Sequence, residues 1–220
     1  MNATLIMDGL TTSETGSHFA HPRTAARRVE GVSDDEDAQL MLAYARGEMR
    51  AFETLYSRHR AALYRYLVRQ ARDTEIANDL FQEVWSRVIV NRVRYEPRAK
   101  FRTFLFTLAH NCFIDHCRRL KSRPAGASVD EADAADLLAT DDDSRPESAL
   151  ERAETTRRYR AALATLPQEQ RDVYLLHEES DLSLEEIARV TGVGTETAKS
   201  RLRYAVGKLR TALAVEEDVT

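Results

Sequence analysis

Apolar residues recur at helical spacing along most of the chain, and the points where the spacing fails divide the chain into segments. Between residues 35 and 88 the pattern predicts three helices, with a break near Gly47 and with Asp73 placed to cap the third. A fourth helix is predicted from about Phe101 to Leu120, because its apolar residues recur at i, i+3, i+4, i+7 and i+11. The intervening residues 93–100 include a proline and are predicted to form a loop. Together these segments predict one compact helical domain.

The rest of the chain is divided by its composition. Prolines, a glycine and an aspartate triplet interrupt the helical pattern between residues 121 and 148, which predicts a flexible acidic linker. This linker of about 28 residues has a fully extended reach of roughly 90 Å at about 3.3 Å per residue. Helical spacing resumes at Ala149. The predicted fold is therefore all-α, with two small helical domains joined by the linker. Its parts are a disordered extension (1–33), a first helical domain (34–120), the linker (121–148), a second helical domain (149–214) and a tail (215–220).

Composition narrows the class of protein. The 220 residues are 43% hydrophobic with only 5 prolines and 8 glycines, which favours helices over sheets. No stretch approaches the roughly 18 consecutive apolar residues that cross a membrane, and the polar residues after Met7 argue against a secretory signal. Two cysteines without an export signal fit a reducing compartment. We therefore expect a cytoplasmic protein with no membrane insertion.

The formal net charge of −4 conceals a segregation of charge along the chain. The charged residues between 129 and 151 are nine acids and a single base, Arg145. Residues 87–121 are basic, with only Glu96 and Asp115 opposing, and residues 199–210 contain cations and no acid. This distribution predicts two basic surfaces joined by an acidic connector, which is typical of binding to nucleic acid. On charge alone, solvated faces of ordinary helices remain the alternative.

A helix-turn-helix pattern lies near the C-terminal end of the chain. Ser183 and Glu186 have the spacing of a capping box at the start of one helix. Residues 191–194 include two glycines, which permit positive φ in a tight turn after that helix. A short helix, a glycine turn and a second helix bearing cations favour DNA binding, with a plain helical hairpin as the alternative.

The second helix of this pattern carries the candidate DNA contacts. Thr195 is predicted to cap it, and Leu202 and Val206 are predicted to hold it to the domain. In a helix-turn-helix the early residues of the second helix face the major groove. The candidate contacts to bases or phosphates are Thr195, Glu196, Thr197, Lys199, Ser200, Arg201 and Arg203.

Catalytic and metal-binding chemistry is not expected. His110, Cys112, His116 and Cys117 lie on the predicted fourth helix, but a straight helix cannot bring all four side chains to one tetrahedral metal ion. The chain has no nucleophile elbow and no glycine-rich phosphate loop. We therefore expect no enzyme activity, no metal and no cofactor.

An ordered set of motifs resembles the extracytoplasmic-function class of sigma factors in the sigma-70 family. The resemblance to region four lies in LPQEQRDV (166–173), LSLEEIA (182–188) and TAKSRL (197–202), where Ala198 replaces the usual valine. The resemblance to region two lies in AFETLY (51–56), DLFQEVW (79–85), FRTFLF (101–106), Asn111 and DHCRR (115–119). Each motif alone is only moderately specific, but the ordered set spans about residues 35–214 and is specific.

The resemblance implies a function and two sets of partner contacts. The chain would bind core RNA polymerase and direct promoter-specific transcription initiation, in response to an envelope or environmental stress signal. It would bind double-stranded DNA at the distal promoter element and melted DNA at the proximal element, and an anti-sigma factor is a further partner of such proteins. The residues implied to grip core polymerase are Asp79, Gln82, Glu83 and Trp85. Those implied at the proximal element are Tyr95, Arg98, Lys100, Arg102, Asn111, Arg118 and Arg119.

Physical reasoning supports part of this assignment and leaves alternatives. Asp79, Gln82 and Glu83 share one helix face, and the amide of Asn111 can both donate to and accept from a base edge. Tyr95 is equally suited to stacking on an unpaired base and to packing in the protein. The resemblance implies that the acidic linker runs along the path of the nascent RNA in polymerase, where an anionic chain can mimic the transcript. A plain solvated tether is the alternative. A DNA-binding repressor or activator and a protein–protein adaptor are the rival functions.

Overall fold

The computed structural model describes residues 35–122 and 146–214, which are helical apart from short connections. The N-terminal unit contains α1 (Glu36–Ala45), α2 (Met49–Ala71), α3 (Thr74–Asn91), a short 3-10 turn (Arg92–Arg94) and α4 (Phe101–Lys121). The C-terminal unit contains α5 (Pro146–Ala164), α6 (Gln168–Ser180), α7 (Leu184–Thr191) and α8 (Thr195–Ala214). The all-α prediction is confirmed, with no strand in either described range. None of the described helices has the length and apolar character needed to cross a membrane.

The ends of the N-terminal helices follow local chemistry. Gly47 adopts a φ of +103° between α1 and α2, a conformation that residues with a Cβ rarely adopt. The Asp73 side chain accepts a hydrogen bond of 3.0 Å from the backbone N–H of Ile76 and so caps α3 as predicted. These two devices allow α2 to pack against both α1 and α3 without long connections.

The core of the N-terminal unit forms around α2. Leu55, Leu63 and Leu67 of this helix are fully buried, and α1, α3 and α4 each pack against it. Each large apolar side chain that is buried in this way contributes about 1.5–3 kcal/mol relative to an exposed one. The packing fixes the helices α3 and α4, which carry the predicted polymerase and proximal-element residues.

The C-terminal unit packs against the N-terminal unit. In the C-terminal unit α6 lies against α8 and α7, and its opposite face contacts α2, while α7 contacts α4. Leu175 and Leu176 of α6 and Ile187 of α7 are fully buried in the resulting hydrophobic core, which is continuous across both units. The two units expected from the sequence are therefore present, but they are docked on one another.

Two boundaries differ from the prediction. The second helical unit begins at Pro146, inside the segment expected to be linker, because proline is tolerated in the first turn of a helix, where its missing N–H has no partner to lose. The first unit ends at Lys121, one residue beyond the expected end. The predicted N-terminal extension, most of the predicted linker and the predicted tail lie outside the described residues.

A buried histidine makes the stability of the N-terminal unit depend on pH. His59 is 1% exposed, and its Nε2 lies 2.7 Å from Asp37 Oδ2. Burial lowers the pKa of His59 below its usual 6.5 despite the nearby carboxylate. Because the unfolded chain then takes up the proton first, the free energy of unfolding falls as the pH drops below about 6.5, by at most about 1.4 kcal/mol per pH unit from this group.

We expect His59→Gln to flatten this dependence. Urea denaturation of both proteins at pH 7.5 and 5.5 measures the effect, and the difference in stability between the two pH values should shrink in the variant. An equal loss of stability in both proteins would show that other groups set the acid response.

Candidate nucleic-acid and polymerase interfaces

The helix-turn-helix forms as its local sequence dictates. Ser183 and Glu186 form a capping box, in which the Ser183 N–H donates to Glu186 Oε2 at 2.9 Å and the Glu186 N–H donates to Ser183 Oγ at 3.3 Å. Gly192 ends α7 with a φ of +69°. The predicted capping box and glycine turn are therefore confirmed.

Two details of the second helix differ from the prediction. Helix α8 begins at Thr195 itself, so Gly194 precedes it and its carbonyl accepts from the Ala198 N–H at 3.0 Å. Leu202 and Val206, predicted to hold α8 to the domain, are not its buried residues, because Val206 is 37% exposed and Leu202 is only partly buried. The residues that hold α8 to the core are Ala198, Ala205 and Leu209, all buried. Small alanines suit this role because they allow α8 to approach α6 closely.

The outer face of α8 is free of the rest of the described chain. Glu196, Thr197, Lys199 and Arg203 are exposed, while Thr195, Ser200 and Arg201 are half-buried at its edges. Arg201 Nη2 lies 4.0 Å from Glu169 Oε2 of α6, a loose pair that can reorient. This face presents hydrogen-bond donors and positive charge, and Arg201–Glu169 is its one ion pair with another described helix. Such side chains are free to contact bases and phosphates in a major groove.

The predicted loop of residues 93–100, which carries Tyr95, is closed over an aromatic cluster. Tyr95 is 8% exposed, with its ring centroid 5.2 Å from Phe104 and 6.4 Å from Phe101. Burial raises the pKa of its hydroxyl far above the usual value, with Asp35 and Asp37 adding to the effect. In this conformation Tyr95 packs inside the protein. For its ring to stack on an unpaired base, the loop would have to open.

The remaining proximal-element residues fall into two groups. Arg98, Arg118 and Arg119 are exposed and make only intramolecular surface pairs within the N-terminal unit, to Glu96, Asp115 and Glu83 respectively. Lys100 and Arg102, by contrast, pair with acids of the C-terminal unit. Lys100 Nζ is 3.3 Å from Glu186 Oε1, and Arg102 Nη1 is 2.8 Å from Asp181 Oδ2. Asn111 is half-buried on α4.

The predicted polymerase-binding residues divide between surface and core. Asp79 and Gln82 are exposed on one face of α3, and Glu83 beside them is held by Arg87 at 2.5 Å. Trp85 is only 5% exposed, and its ring packs 4.9 Å from Tyr56 and 5.7 Å from Phe52, centroid to centroid. In this conformation the Trp85 side chain packs in the core behind α3, so its contact with polymerase stays a prediction that would require the side chain to become exposed.

A buried polar cluster between the two units was missed by the sequence reasoning. Asp172 of α6 is 4% exposed, and its Oδ1 accepts hydrogen bonds of 2.7 Å from both Tyr66 Oη and Gln70 Nε2 of α2. His110 Nδ1 of α4 lies 2.8 Å from Asp172 Oδ2. The hydroxyl pKa of buried Tyr66 is raised well above its usual value, by burial first and by Asp172 second. One carboxylate therefore accepts hydrogen bonds from two side chains of α2 and lies beside His110 of α4, all in the other unit.

A second carboxylate extends this cluster. Glu179 is 7% exposed and is bonded by Arg65 Nε at 2.7 Å and by Arg69. The spacing offered a signal, because Asp172 and Glu179 are seven residues apart and share a face of α6 with Leu175 and Leu176. Acids at such positions on an apolar face indicate buried partners.

The histidines and cysteines of α4 do not converge. No group of three or more metal-ligating side chains occurs within the described ranges. His110 faces Asp172, whereas Cys112 is fully buried and burial raises the pKa of its thiol to about 11. Cys117 is half-buried, and its Sγ accepts from Gln168 Nε2 at 3.9 Å.

Comparison with known proteins identifies the family. Residues 55–123 match the family described as Sigma-70 region 2, and residues 156–209 match Sigma-70, region 4. RNA polymerase sigma factor CarQ of Myxococcus xanthus is 32% identical over 167 residues, which cover 76% of this chain and 91% of CarQ. ECF RNA polymerase sigma factor SigL of Mycobacterium tuberculosis is 32% identical over 170 residues, covering 77% of this chain and 92% of SigL.

A solved structure shares the fold. The sigma factor RpoE in complex with the anti-sigma factor NepR, from Bartonella quintana, superposes with a TM-score of 0.60 at 22% identity, covering 74% of this chain and 97% of that one. The two matched regions coincide with the N-terminal and C-terminal units, and the relatives are covered over most of their length. The chain therefore belongs to the sigma-70 family, in its extracytoplasmic-function class, and is a transcription initiation factor that binds RNA polymerase rather than an enzyme.

Proposed function

We propose that this sigma factor recognises a two-element promoter, with α8 on the distal duplex and with α4 and the loop before it on the melted proximal element. The observation that supports this division most strongly is the free outer face of α8. Lys199 and Arg203 are exposed there, whereas the buried Ala198, Ala205 and Leu209 secure the opposite face. A helix held in this way can enter a major groove without disturbing its own domain.

The proposed polymerase contact lies on a different helix. Asp79 and Gln82 are exposed on α3 and so are available to a basic partner surface, and Glu83 can join them if it leaves Arg87. Because α3 and α8 belong to different units, polymerase and distal DNA can be bound at once. The 24 residues between α4 and α5 have a fully extended reach of roughly 80 Å, which still spans the roughly 70 Å between two elements two helical turns apart.

The proposed regulation is release from an anti-sigma partner under stress. The structural relative from Bartonella quintana was solved in complex with an anti-sigma factor, and we extend that kind of partner to this chain by analogy of fold. The proposed place of action is the cytoplasm, where core polymerase is found.

Multi-template run-off transcription tests the function. Core polymerase is supplied with genomic templates, with and without the full chain, and the transcript starts are sequenced. We expect a set of starts that depend on the chain and share two elements about two helical turns apart. If the chain bound DNA without creating new starts, a repressor or activator role would replace promoter recognition with polymerase.

A further inference from the structure

The contact between the two units occupies cations that the proposed function assigns to promoter DNA. Arg102 Nη1 donates to Asp181 Oδ2 at 2.8 Å and to the Ser180 carbonyl at 3.2 Å. Lys100 Nζ lies 3.3 Å from Glu186 Oε1. Both cations come from the start of α4, and both acids come from the region where α6 ends and α7 begins. A carboxylate and a phosphate present similar oxygens to a guanidinium or an ammonium group.

The geometry of these acids makes the contact specific. Glu186 is 5% exposed and its carboxylate is fixed, because Oε2 accepts from the Ser183 N–H at 2.9 Å while Oε1 accepts from Thr103 Oγ1 at 3.2 Å. Burial by itself would raise the pKa of Glu186, yet the Ser183 N–H and the Lys100 charge lower it. Glu186 is therefore charged at neutral pH and held where Lys100 meets it.

We propose that Asp181 and Glu186 act as an intramolecular competitor of promoter DNA, holding Arg102 and Lys100 so that docking of the C-terminal unit and binding of the melted proximal strand exclude each other. The inference rests on the proposed function, since it uses the assignment of Lys100 and Arg102 to the proximal element. It adds that the chain inhibits itself without a second protein. Polymerase or an anti-sigma partner would then act by changing the balance between docked and separated units.

The competition can be measured with charge-neutral variants that keep the local fold. Asp181→Asn preserves a side chain tolerated at the left-handed φ of 48° found at this position, and Glu186→Gln preserves the capping box. The probe is a short random-sequence single-stranded DNA with a fluorescent end, because phosphate contacts do not depend on sequence. We expect the double variant of the full chain to bind this probe about three- to tenfold more tightly at low salt, as expected for release of two partly exposed ion pairs. The plot of log K against log salt should also steepen by up to about 1.4, or 0.7 per phosphate newly contacted.

The matched control removes the same charge from positions close to Asp181 and Glu186, one near the end of α6 and one in α7. Glu178→Gln and Glu185→Gln neutralise exposed acids whose hydrogen bonds and ion pairs all lie within the C-terminal unit. If the control double variant gained as much affinity for the probe as the Asp181→Asn, Glu186→Gln double variant, the change in net charge alone would explain the effect. That result would overturn the proposal.

A reversible lock provides a second, independent measurement. Gln168→Cys places a thiol opposite Cys117, since Gln168 Nε2 lies 3.9 Å from Cys117 Sγ across the contact between the units. Burial raises the thiol pKa of both native cysteines, that of Cys112 to about 11, but Cys112 is fully buried whereas Cys117 is half-buried, so Cys117 is the more accessible of the two. A reducible bis-maleimide should join the two units, and the joined chain should bind the single-stranded probe more weakly than the same sample after reduction.

The outcomes separate this proposal from the proposed function. Failure of the pair to cross-link, or equal probe binding before and after reduction, would contradict competition between the units while leaving run-off transcription intact. Absence of chain-dependent transcript starts would contradict promoter recognition, whatever the probe binding of the variants.

Discussion

Replacing Asp172 with alanine is expected to separate the two units of the free chain. In the docked state this carboxylate accepts from Tyr66 and Gln70 at 2.7 Å each and lies 2.8 Å from His110 Nδ1. Its removal leaves the buried donors of Tyr66 and Gln70 without this acceptor, whereas in the separated state they meet water. Removing one member of a buried charged network costs about 3–5 kcal/mol. The ratio of docked to separated molecules should therefore fall by roughly a hundredfold or more.

Small-angle X-ray scattering measures this separation without labels. The radius of gyration of Asp172→Ala should exceed that of the unmodified chain, and circular dichroism should show that its helices are retained. Glu178→Ala is the matched control, because Glu178 lies on the same helix with a side chain 45% exposed and paired only with its neighbour His177. An unchanged radius for Asp172→Ala would mean that apolar packing alone holds the units together.

The same variant connects stability to the proposed competition. If separation frees Lys100 and Arg102, Asp172→Ala should bind the single-stranded probe more tightly although Asp172 itself touches neither cation. Separation without a gain in probe binding would limit Asp172 to a structural role and would argue against the competition.

Replacing both Lys199 and Arg201 with alanine is expected to abolish most of the distal-element affinity. Lys199 is exposed and Arg201 is held only by Glu169 at 4.0 Å, so both can reach DNA with little loss of structure. The loss of two phosphate contacts should lower the slope of log K against log salt by about 1.8 on duplex DNA. We expect binding to weaken by roughly 10- to 100-fold at moderate salt.

Holoenzyme binding to a duplex promoter fragment, followed by fluorescence anisotropy at several salt concentrations, checks this result. Lys208→Ala with Arg210→Ala is the matched control, since both residues are exposed on the same helix and the net charge changes equally. These residues lie about two turns further along α8, beyond the part that enters the groove. Equal losses from both pairs would assign the effect to general attraction rather than to contact by the early residues of α8.

The features that were predicted well arise from contacts between residues that are close in the sequence. The cap by Asp73, the capping box of Ser183 and Glu186 and the turn at Gly192 involve residues at most four apart. Such contacts form within one helical turn, so residue type and spacing suffice to predict them. The same holds for the cations of α8, because a helix that begins at Thr195 must place Lys199 and Arg203, four residues apart, on one face.

Aromatic residues were predicted less well because their chemistry suits both surface and core. Trp85 and Tyr95 could each contact a partner, but the structure buries Trp85 against Phe52 and Tyr56 and buries Tyr95 against Phe104. An aromatic ring with one polar atom gains from either setting. Only the positions of the neighbouring rings, supplied by other helices, decide between them.

The sequence by itself determined that this protein is helical, that it has two units and that their motifs are those of a sigma factor. Tertiary structure alone decided that the units are docked, and that Asp172 and Glu186 belong to the contact between them. The bond from Tyr66 to Asp172 joins residues 106 positions apart, and that from Thr103 to Glu186 joins residues 83 apart. A carboxylate on the surface of a helix can be hydrated by water or can accept from a donor that is distant in the sequence. Which of these it meets depends on the free energy of packing whole helices together, and no local pattern contains that quantity.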